Sequence, residues 1–442
     1  MNLEAEPSGS PTLTVTSPYE GKRIRFWEHI KLSSYWFGSN FVWGCFLGPV
    51  LSSEMAKIAP ETAAGDLGLL YFFGAIPALL VPLIFGPLSD RCQHPKGRRK
   101  PYVAGGAVIA LIGLVLMALG FQALNLFAYI GGYLVLQVGS NIALAAYSGV
   151  IPDLIPPEQR GVASGYMAVM SQLATLIGAL ASGILLGKDQ HLLVYLLIGV
   201  VFAIFVLITV FGIRENPLIG DLPKFNFKAY LKSLWIDPKK YSDFAWVWIT
   251  RALMMFGFYA IQPFILYYLR DVIHVKNPAQ SSGIVLGLIL LGAAVSGYLG
   301  GHISDKRGRK PVVVISSYII SVAAILLIFA TNLEIALVIG VIFGLGYGAY
   351  ISVDWALGAD VLPSKADAGK DMAVWHVAMT LPQQIAPLVA GSVLQAFVSG
   401  YVLDDDKKVS TYALNGYATI FILASFCFLL GGILLKNVRG VR

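Results

Sequence analysis

Residues 301–311 read GHISDKRGRKP, and a longer version of the same pattern, GPLSDRCQHPKGRRKP, occupies residues 86–101. A second pair of short segments, IPDLIP at 151–156 and GADVLP at 358–363, is separated by 207 positions. Self-similarity at one long period indicates that a unit has been duplicated within the chain. The sequence therefore predicts two homologous halves, each carrying one copy of both segments.

The segments around these copies are strongly apolar. Of the 442 residues, 57% are hydrophobic and 13% are charged, and the mean hydropathy is +0.71. Soluble domains carry roughly 25% charged residues, so the composition excludes a cytosolic enzyme, a nucleic-acid binder and a secreted disulfide module. A bilayer-spanning helix needs roughly 20 apolar residues. Twelve such stretches lie near 32–53, 66–89, 101–121, 126–152, 162–186, 191–213, 244–270, 281–303, 310–330, 333–358, 370–398 and 411–435.

These stretches lack the period-2 alternation of a transmembrane β-barrel. We therefore predict an all-α membrane protein with twelve transmembrane helices in two pseudo-symmetric six-helix bundles. The bundles cover residues 31–213 and 244–436 and are joined by a cytoplasmic linker at 214–243. A cytoplasmic tail with an interfacial lead-in (1–30) precedes them and a short cytoplasmic tail (437–442) follows. The polar amino terminus predicts no cleavable signal peptide.

Basic residues predict the orientation of the chain. Twenty-five of the 32 lysines and arginines fall in the tails and in the loops of one side, six fall in the loops of the other side, and Arg251 falls inside a span. Cytoplasmic segments carry the excess of Lys and Arg. We therefore expect a multi-pass protein of the plasma (inner) membrane with both termini in the cytoplasm. The net charge of +7 then follows from topology and predicts no nucleic-acid partner.

Each repeated loop places acids, bases and glycines at the end of a predicted helix. We expect the acids to pair with the basic cluster or to accept hydrogen bonds from a helix amino terminus, and Gly86 to let a neighbouring helix approach closely. Contacts that form in one conformation and break in another would act as a gate; the alternative is that the bases only set the topology. The predicted gating residues are Gly86, Asp90, Arg91, Gly97, Arg98, Asp153, Arg160, Asp305, Gly308, Arg309 and Asp360.

The spacing of the 301–311 copy fits the loop signature Gly-x-x-x-Asp-Arg-x-Gly-Arg-Arg/Lys, and residues 31–436 resemble the major facilitator superfamily. The longer first copy, with SDRC at 89–92 and GRRKPY at 97–102, resembles the sucrose/glycoside branch, which is similar to the glycoside-pentoside-hexuronide cation symporters. Asn141, twelve residues before Asp153, matches that branch as well. The resemblance implies two bundles that expose a central site alternately to either side of the membrane.

This chain departs from the sugar branch at two positions in the fourth span. Plant sucrose carriers usually have an arginine where this chain has Ser148, and they tend to carry an acid where it has Gln137. Part of the branch's usual coupling machinery is therefore replaced, and the coupling ion and the sugar stay open at this point.

A substrate site needs polar and aromatic groups that share helix faces near the middle of the membrane. The resemblance implies that spans 1, 4, 7 and 10 line the cavity. Amides that bind hydroxyl groups, beside aromatic rings that stack on a pyranose, suit a neutral sugar; the alternative is that these side chains only pack helices together. The candidates are Asn40, Trp43, Gln137, Asn141, Arg251, Phe258, Gln262, Tyr347, Tyr350 and Asp354. In span 11, His376 and Gln383 share a face.

Two intramembrane charges, Arg251 and Asp354, lie at similar depths in spans 7 and 10. An unpaired charge at that depth costs at least roughly 2.5–3.5 kcal/mol, so we predict that the two form an ion pair. The pair is either a protonation switch for coupling or a static structural bridge. His376 is a candidate proton relay, with a purely structural role as the alternative.

The leading functional prediction is a secondary active transporter, proton-coupled or coupled to another cation, that takes up a sugar or glycoside. The alternatives are a drug/proton antiporter and, in a different class, a transporter-like sensor or assembly factor. Phosphate-binding loops and metal-spaced Cys/His clusters are absent from the sequence, which predicts no enzyme activity, no cofactor and no metal. The three cysteines, Cys45, Cys92 and Cys427, are predicted to be free thiols.

Overall fold

The fold is described from a computed structural model that places residues 17–218, 226–363, 368–404 and 407–439. Parts of three predicted segments lie outside the described residues, namely 1–16 of the first tail, 219–225 of the linker and 440–442 of the last tail.

The amino-terminal half begins with a helix that breaks in its middle. Helix α1 covers Phe26–Cys45, a π-helical turn covers Phe46–Val50, and α2 covers Leu51–Ile58. Gly48 has a non-helical ψ of −130° and Pro49 lacks an amide donor, so the regular hydrogen-bond ladder stops there. The half continues with α3 (Ala63–Asp90), α4 (Lys100–Gln122), α5 (Leu126–Tyr147), α6 (Val150–Leu154), α7 (Arg160–Leu186) and α8 (His191–Gly212).

The carboxyl-terminal half repeats this design after a short linker helix, α9 (Phe227–Ser233). Its first span is also broken, because a 3₁₀ turn at Gln262–Phe264 that contains Pro263 separates two helices. The elements of this half are α10 (Ser242–Ile261), α11 (Ile265–Asp271), α12 (Pro278–Arg307), α13 (Arg309–Leu326), α14 (Leu333–Asp360), α15 (Ala368–Ala396) and α16 (Leu414–Leu434).

Within the described residues, eleven helical segments are long and apolar enough to cross a membrane. The first predicted span, 32–53, is not one of them, because α1 is long enough at 20 residues but too polar, and the break at Gly48 separates it from α2. The broken α1–α2 unit and the eleven segments together supply the twelve predicted passes, so the predicted fold class is confirmed.

Small residues allow the helices of each half to pack closely. In the first half α1 packs on α7 and α8, and α4 packs on α5; in the second half α10 packs on α15 and α16, and α12 packs on α14. A Cβ atom on Gly113 would lie 2.2 Å from the backbone nitrogen of Leu136, and one on Gly348 would lie 2.0 Å from the carbonyl oxygen of Ala293. These positions therefore require glycine, as expected for helices that approach in a membrane.

One element was not predicted. Strands β1 (Val398–Asp404) and β2 (Lys407–Tyr412) form an antiparallel hairpin between α15 and α16. The hairpin joins the two halves at the face opposite the basic loops. The amide of Ser410 donates to the carbonyl of Pro60 (2.8 Å), and Arg270 of α11 donates to the carbonyl of Ser410 (2.7 Å).

The two halves meet near that same face, which we call the opposite face; the basic face is the end that carries residues 91–100 and 306–310. Helix α3 packs on α15, and α7 packs on α12, where Leu180 contacts Gly287. The helical face of α7 that bears Leu180 is exposed nearer the basic face, at Val169 (58%) and Val162 (57%). On α12, the corresponding face bears Tyr298, which is 81% exposed. The halves therefore separate toward the basic face.

Candidate functional site

The predicted ion pair between Arg251 on α10 and Asp354 on α14 is present. The Arg251 side chain is completely buried, and the Asp354 side chain is 3% exposed. The hydroxyl of Tyr350, one turn earlier on α14, donates to Asp354 Oδ1 at 3.0 Å. The pair thus joins two helices of the carboxyl-terminal half and has little access to water.

Tryptophans on two helices cover this pair. The guanidinium carbon of Arg251 lies 3.5 Å from the centre of the Trp375 ring and 5.6 Å from that of Trp355. Gly358 makes room for Trp375, because a Cβ atom there would lie 2.6 Å from the indole ring. A cation held against an aromatic face without water gains about 2 kcal/mol or more. Trp375 was not among the predicted site residues, because it lies on α15 and its contact with Arg251 depends on the tertiary fold.

His376 follows Trp375 in the chain and is half-buried. Its ring lies 6.4 Å from that of Trp355. The structure therefore places this candidate relay beside the aromatic cover of the ion pair, and its role stays a prediction.

Amide side chains from both halves converge on Gly74 of α3. A Cβ atom on Gly74 would lie 3.2 Å from Gln137 Nε2 and 3.3 Å from Gln384 Oε1. Gln137 Nε2 donates to the hydroxyl of Tyr133 (2.9 Å), and Asn141 Nδ2 donates to Gln137 Oε1 (3.1 Å). The predicted face of Gln137 and Asn141 therefore forms one hydrogen-bonded group. Gln384 of the other half approaches the same glycine, whereas the prediction had named Gln383, and Gln384 Oε1 has no hydrogen-bond partner among the described residues.

The other candidates occupy the two broken spans and α14. Asn40 is half-buried and donates to the carbonyl of Trp36 (2.8 Å), and Trp43 is half-buried. The rings of Phe258 and Tyr347 stack at 4.4 Å. Gln262 lines a small apolar cavity of about 30 Å³ within the carboxyl-terminal half, together with Phe258.

Several buried polar atoms have no hydrogen-bond partner in the described part of the protein and could form hydrogen bonds to a ligand. Among the described residues these include Trp36 Nε1, Gln262 Oε1, Trp375 Nε1 and Gln384 Oε1. Groups of this kind cost about 1–3 kcal/mol each when they stay unpaired, so a ligand that pairs with them gains binding free energy.

The first gating cluster lies at the basic face, within the amino-terminal half. Arg99 Nη1 is 2.5 Å from Asp90 Oδ1, and Arg99 Nε donates to Asp153 Oδ2 at 2.8 Å. Arg98 pairs with Asp153 as well. Arg160 donates instead to the carbonyls of Ile155 and Pro152. The predicted pairing of acids with the basic cluster is confirmed, but its most buried base is Arg99, which the prediction left out.

The second cluster repeats this arrangement. Arg309 pairs with Asp360 and lies 3.9 Å from Asp305. Gly97 and Gly308, the aligned glycines of the two copies, have φ values of +106° and +92°. Other residues rarely adopt this left-handed backbone region, so the turn geometry itself explains both glycines.

The prediction that the glycine four residues before each acid lets a neighbouring helix pack closely was wrong for this structure. A Cβ atom on Gly86 or on Gly301 would meet nothing within 4 Å. Both glycines lie toward the basic face, where the halves have separated, so no neighbouring helix is close to them.

Sequence reasoning also missed Glu215, which follows α8. Its carboxylate accepts from the backbone amides of Arg99 (3.0 Å) and Lys100 (3.5 Å). An acid at a helix amino terminus stabilises the exposed amide groups there. Glu215 therefore holds the start of α4 and positions Arg99 for its two acids.

Glu215 predicts a pH dependence of stability. Burial raises its pKa above the ordinary 4.5 despite the amide donors, so the folded protein binds this proton more tightly than the unfolded chain. The free energy of unfolding is then expected to fall as the pH rises from about 4.5 through the raised pKa. Thermal unfolding of Glu215→Gln in detergent should not show this fall in the free energy of unfolding. Glu158→Gln, at an exposed site on the same face, should still show it. A pH profile unchanged by Glu215→Gln would contradict the assignment.

Comparison with known proteins agrees with this geometry. The Major Facilitator Superfamily model matches residues 34–387 and, in a second match, residues 247–439. The multi-drug resistance efflux pump PmrA of Streptococcus pneumoniae is 24% identical over 405 residues, which is 89% of this chain and 92% of the pump. The sucrose transport protein SUC4 of Arabidopsis thaliana is 25% identical over 191 residues, which is 39% of this chain and 36% of that protein.

Solved structures show the same fold at low identity. The nucleoside transporter NupG aligns with a TM-score of 0.71 at 14% identity, over 93% of this chain and 99% of NupG. The D-xylose-proton symporter aligns with a TM-score of 0.69 at 14% identity, over 93% and 98% of the two chains. With the family model covering most of its length and twelve passes arranged in two repeated halves, the chain belongs to the Major Facilitator Superfamily.

Proposed function

We propose that the protein takes up a neutral sugar or glycoside together with protons. The convergence of Gln137 and Gln384 on Gly74 carries this proposal, because it brings uncharged hydrogen-bonding groups of both halves to one point. A hydroxylated solute bound there would contact both halves at once. Such a ligand favours whichever conformation brings the amides together, as alternating access requires.

The charge distribution around this point supports a neutral solute. The amide group of Gln137 and Asn141 is joined by a phenol, Tyr133. The acid and base of the carboxyl-terminal half, Asp354 and Arg251, already neutralise one another behind Trp375. A lipophilic cation would need an acid that is free to pair with it, whereas a sugar needs amides and aromatic faces.

The proposed orientation follows from the basic loops. The cytoplasm lies at the basic face, as the excess of Lys and Arg favours, so the described conformation is open inward and closed at the opposite face. In this proposal Arg251 and Asp354 act in coupling, and the paired clusters at Asp90 and Asp360 act as gates that rearrange when the basic face closes.

A second candidate, drug/proton antiport, is favoured by one finding. The relatives that match along most of the chain include the efflux pump PmrA, whereas the sucrose carrier matches over 39% of it. Efflux would use the same fold with the opposite direction of net transport.

Reconstituted protein decides between the two. We expect proteoliposomes with an acidic exterior to accumulate at least one radiolabelled mono- or disaccharide or glycoside, and a protonophore to abolish the accumulation. Gln137→Leu and Gln384→Leu should each weaken sugar binding about 2- to 13-fold, since each removes a hydrogen bond worth about 0.5–1.5 kcal/mol. The exposed Gln122→Leu should bind like the parent. Proton-driven extrusion of ethidium with no sugar uptake would contradict the proposal and establish the second candidate.

A further inference from the structure

A buried carboxylate lies outside the site described above. Glu54 on α2 is completely buried near the opposite face. Its Oε2 accepts from the hydroxyls of Tyr129 on α5 (2.7 Å) and Tyr195 on α8 (2.5 Å). Its Oε1 is 3.4 Å from Nδ1 of His191, the first residue of α8. Two other helices of the amino-terminal half, α5 and α8, therefore converge on this acid of α2.

The charge of this cluster depends on a single proton. The groups facing Glu54 are two phenols and one imidazole, and the ring of Phe121 stacks on His191 at 4.5 Å. When Glu54 and His191 share one added proton, either Glu54 is neutral or its negative charge is balanced by protonated His191. Without that proton a net negative charge is buried, which costs several kcal/mol unless water reaches it.

A path connects the cluster to solvent at the opposite face. His191 Nε2 lies 3.3 Å from Asp189 Oδ1, and the Asp189 side chain is 70% exposed. Asp189 also pairs with Lys57 on α2. Interaction with Lys57 lowers the pKa of Asp189, so this acid stays ionised. A proton from the solvent beside Asp189 can bind at His191 Nε2 while the other ring nitrogen, Nδ1, passes a proton to Glu54 Oε1, which lies within hydrogen-bonding reach.

Helix α2, the short helix that carries Glu54, takes part in closing the opposite face. The hydroxyl of Tyr267, a fully buried residue of α11, donates to the carbonyl of Ser52 on α2 at 2.8 Å. Helix α2 is separated from α1 by the break at Gly48, so it can shift without moving all of the first span. Glu54 and the contact between the halves thus lie on one small, separately hinged element.

We propose that Glu54 and His191 form a proton-binding site loaded from the opposite face, and that its occupancy closes that face. With the proton bound, the cluster is neutral and stays buried beneath Tyr267. When the proton leaves, hydration of the negative charge favours displacement of α2 and opening. This site deepens the proposed function, since it supplies a place for the coupling proton, but proton binding can be measured without any substrate.

A thiol at the closed face tests this proposal directly. Ala64 is fully buried, and its carbonyl lies 2.2 Å from a Cβ atom built on Gly391 of the other half. We introduce Ala64→Cys into a chain whose three native cysteines are replaced by alanine, and measure its alkylation by an impermeant reagent in detergent. Labelling is divided at each pH by the rate at an exposed control thiol, Gln122→Cys in the same background, which removes the titration of the thiol itself. The normalised rate should slow at least about fivefold between about pH 8 and pH 5.5.

Substitutions at the cluster separate this mechanism from a general effect of pH. On this normalised scale Glu54→Gln, which is neutral at every pH, should label slowly and without pH dependence, and the exposed Glu61→Gln should behave like the parent. Tyr195→Phe removes one donor to the carboxylate and should move the midpoint to higher pH; it serves even where Glu54→Gln fails to fold. A parent without pH dependence, a pH-dependent Glu54→Gln, or an unshifted Tyr195→Phe would each overturn the proposal. Failure of sugar uptake alone would overturn only the proposed substrate.

Discussion

Replacing Asp354 by asparagine is expected to abolish transport and to lower the free energy of unfolding by about 3–5 kcal/mol. The reason is that Arg251 stays fully buried against Trp375 with no acid to balance it. Arg251→Gln should cost a similar amount, because it leaves Asp354 as the uncompensated charge. Unfolding in mixed micelles and uptake into proteoliposomes measure the two effects separately.

The double variant Arg251→Gln/Asp354→Asn distinguishes a coupling pair from a static bridge. It buries no charge, so it should recover most of the lost stability, whereas simply additive losses would contradict the ion pair as the cause. Tyr350→Phe provides a graded control, since it removes only one hydrogen bond to Asp354 and should cost about 1 kcal/mol. A folded double variant that equilibrates substrate but no longer accumulates it against a gradient would assign the pair to coupling. Unchanged accumulation and pH dependence would leave it a structural bridge.

Replacing Gly391 by leucine is expected to prevent closure of the opposite face and to stop net transport. A Cβ atom on Gly391 would already lie 2.2 Å from the carbonyl of Ala64 in the other half. Overpacking of this kind costs about 1–3 kcal/mol, which shifts the equilibrium between the open and closed states about 5- to 150-fold. The rate of labelling at Ala64→Cys should rise correspondingly, and uptake should fall toward background.

Gly131→Leu is the matched control, because a Cβ atom at this transmembrane position on α5 meets nothing within 4 Å. It should fold, transport and label like the parent. Gly391→Leu protein that transports at the parental rate would show that this contact is not part of the closed state used in the cycle.

The parts of the structure that were predictable follow from periodic or composition-level signals. Long apolar runs and the duplicated loops specify the two bundles, because the cost of exposing polar backbone in lipid leaves few alternatives to helices. The pairing of Arg251 with Asp354 was predictable for the same reason, since an isolated charge in a span needs a partner. The clusters around Asp153 and Asp360 were recognisable because they are two copies of one sequence pattern at equivalent positions in the two halves.

The parts that were missed depend on which side chains meet when helices pack. Gln384 rather than Gln383 approaches Gly74 beside the amide group, and one residue corresponds to about 100° of rotation around a helix. Trp375 and Glu54 are single residues in apolar surroundings, and their partners lie on other helices. Glu54 stands near the end of the first predicted span, where a polar residue is ordinary, so its complete burial carried no signal in the chain. The hairpin was missed because almost all of its two strands lies between two predicted spans, in a stretch that was taken as a loop.

The broken first span also bears on how the protein is made. Helix α1 precedes the other spans of its half, yet it falls short of the hydropathy expected of a spanning helix, whereas α8 is the most apolar of the eleven. Its buried serines, Ser33, Ser34 and Ser39, lie on a helix that packs on α7 and α8. We therefore expect that α1 settles fully into the bilayer only after synthesis has passed residue 212. Until then, α1 lacks the helices that cover its polar face, so biogenesis of this half depends on completion of its last helix.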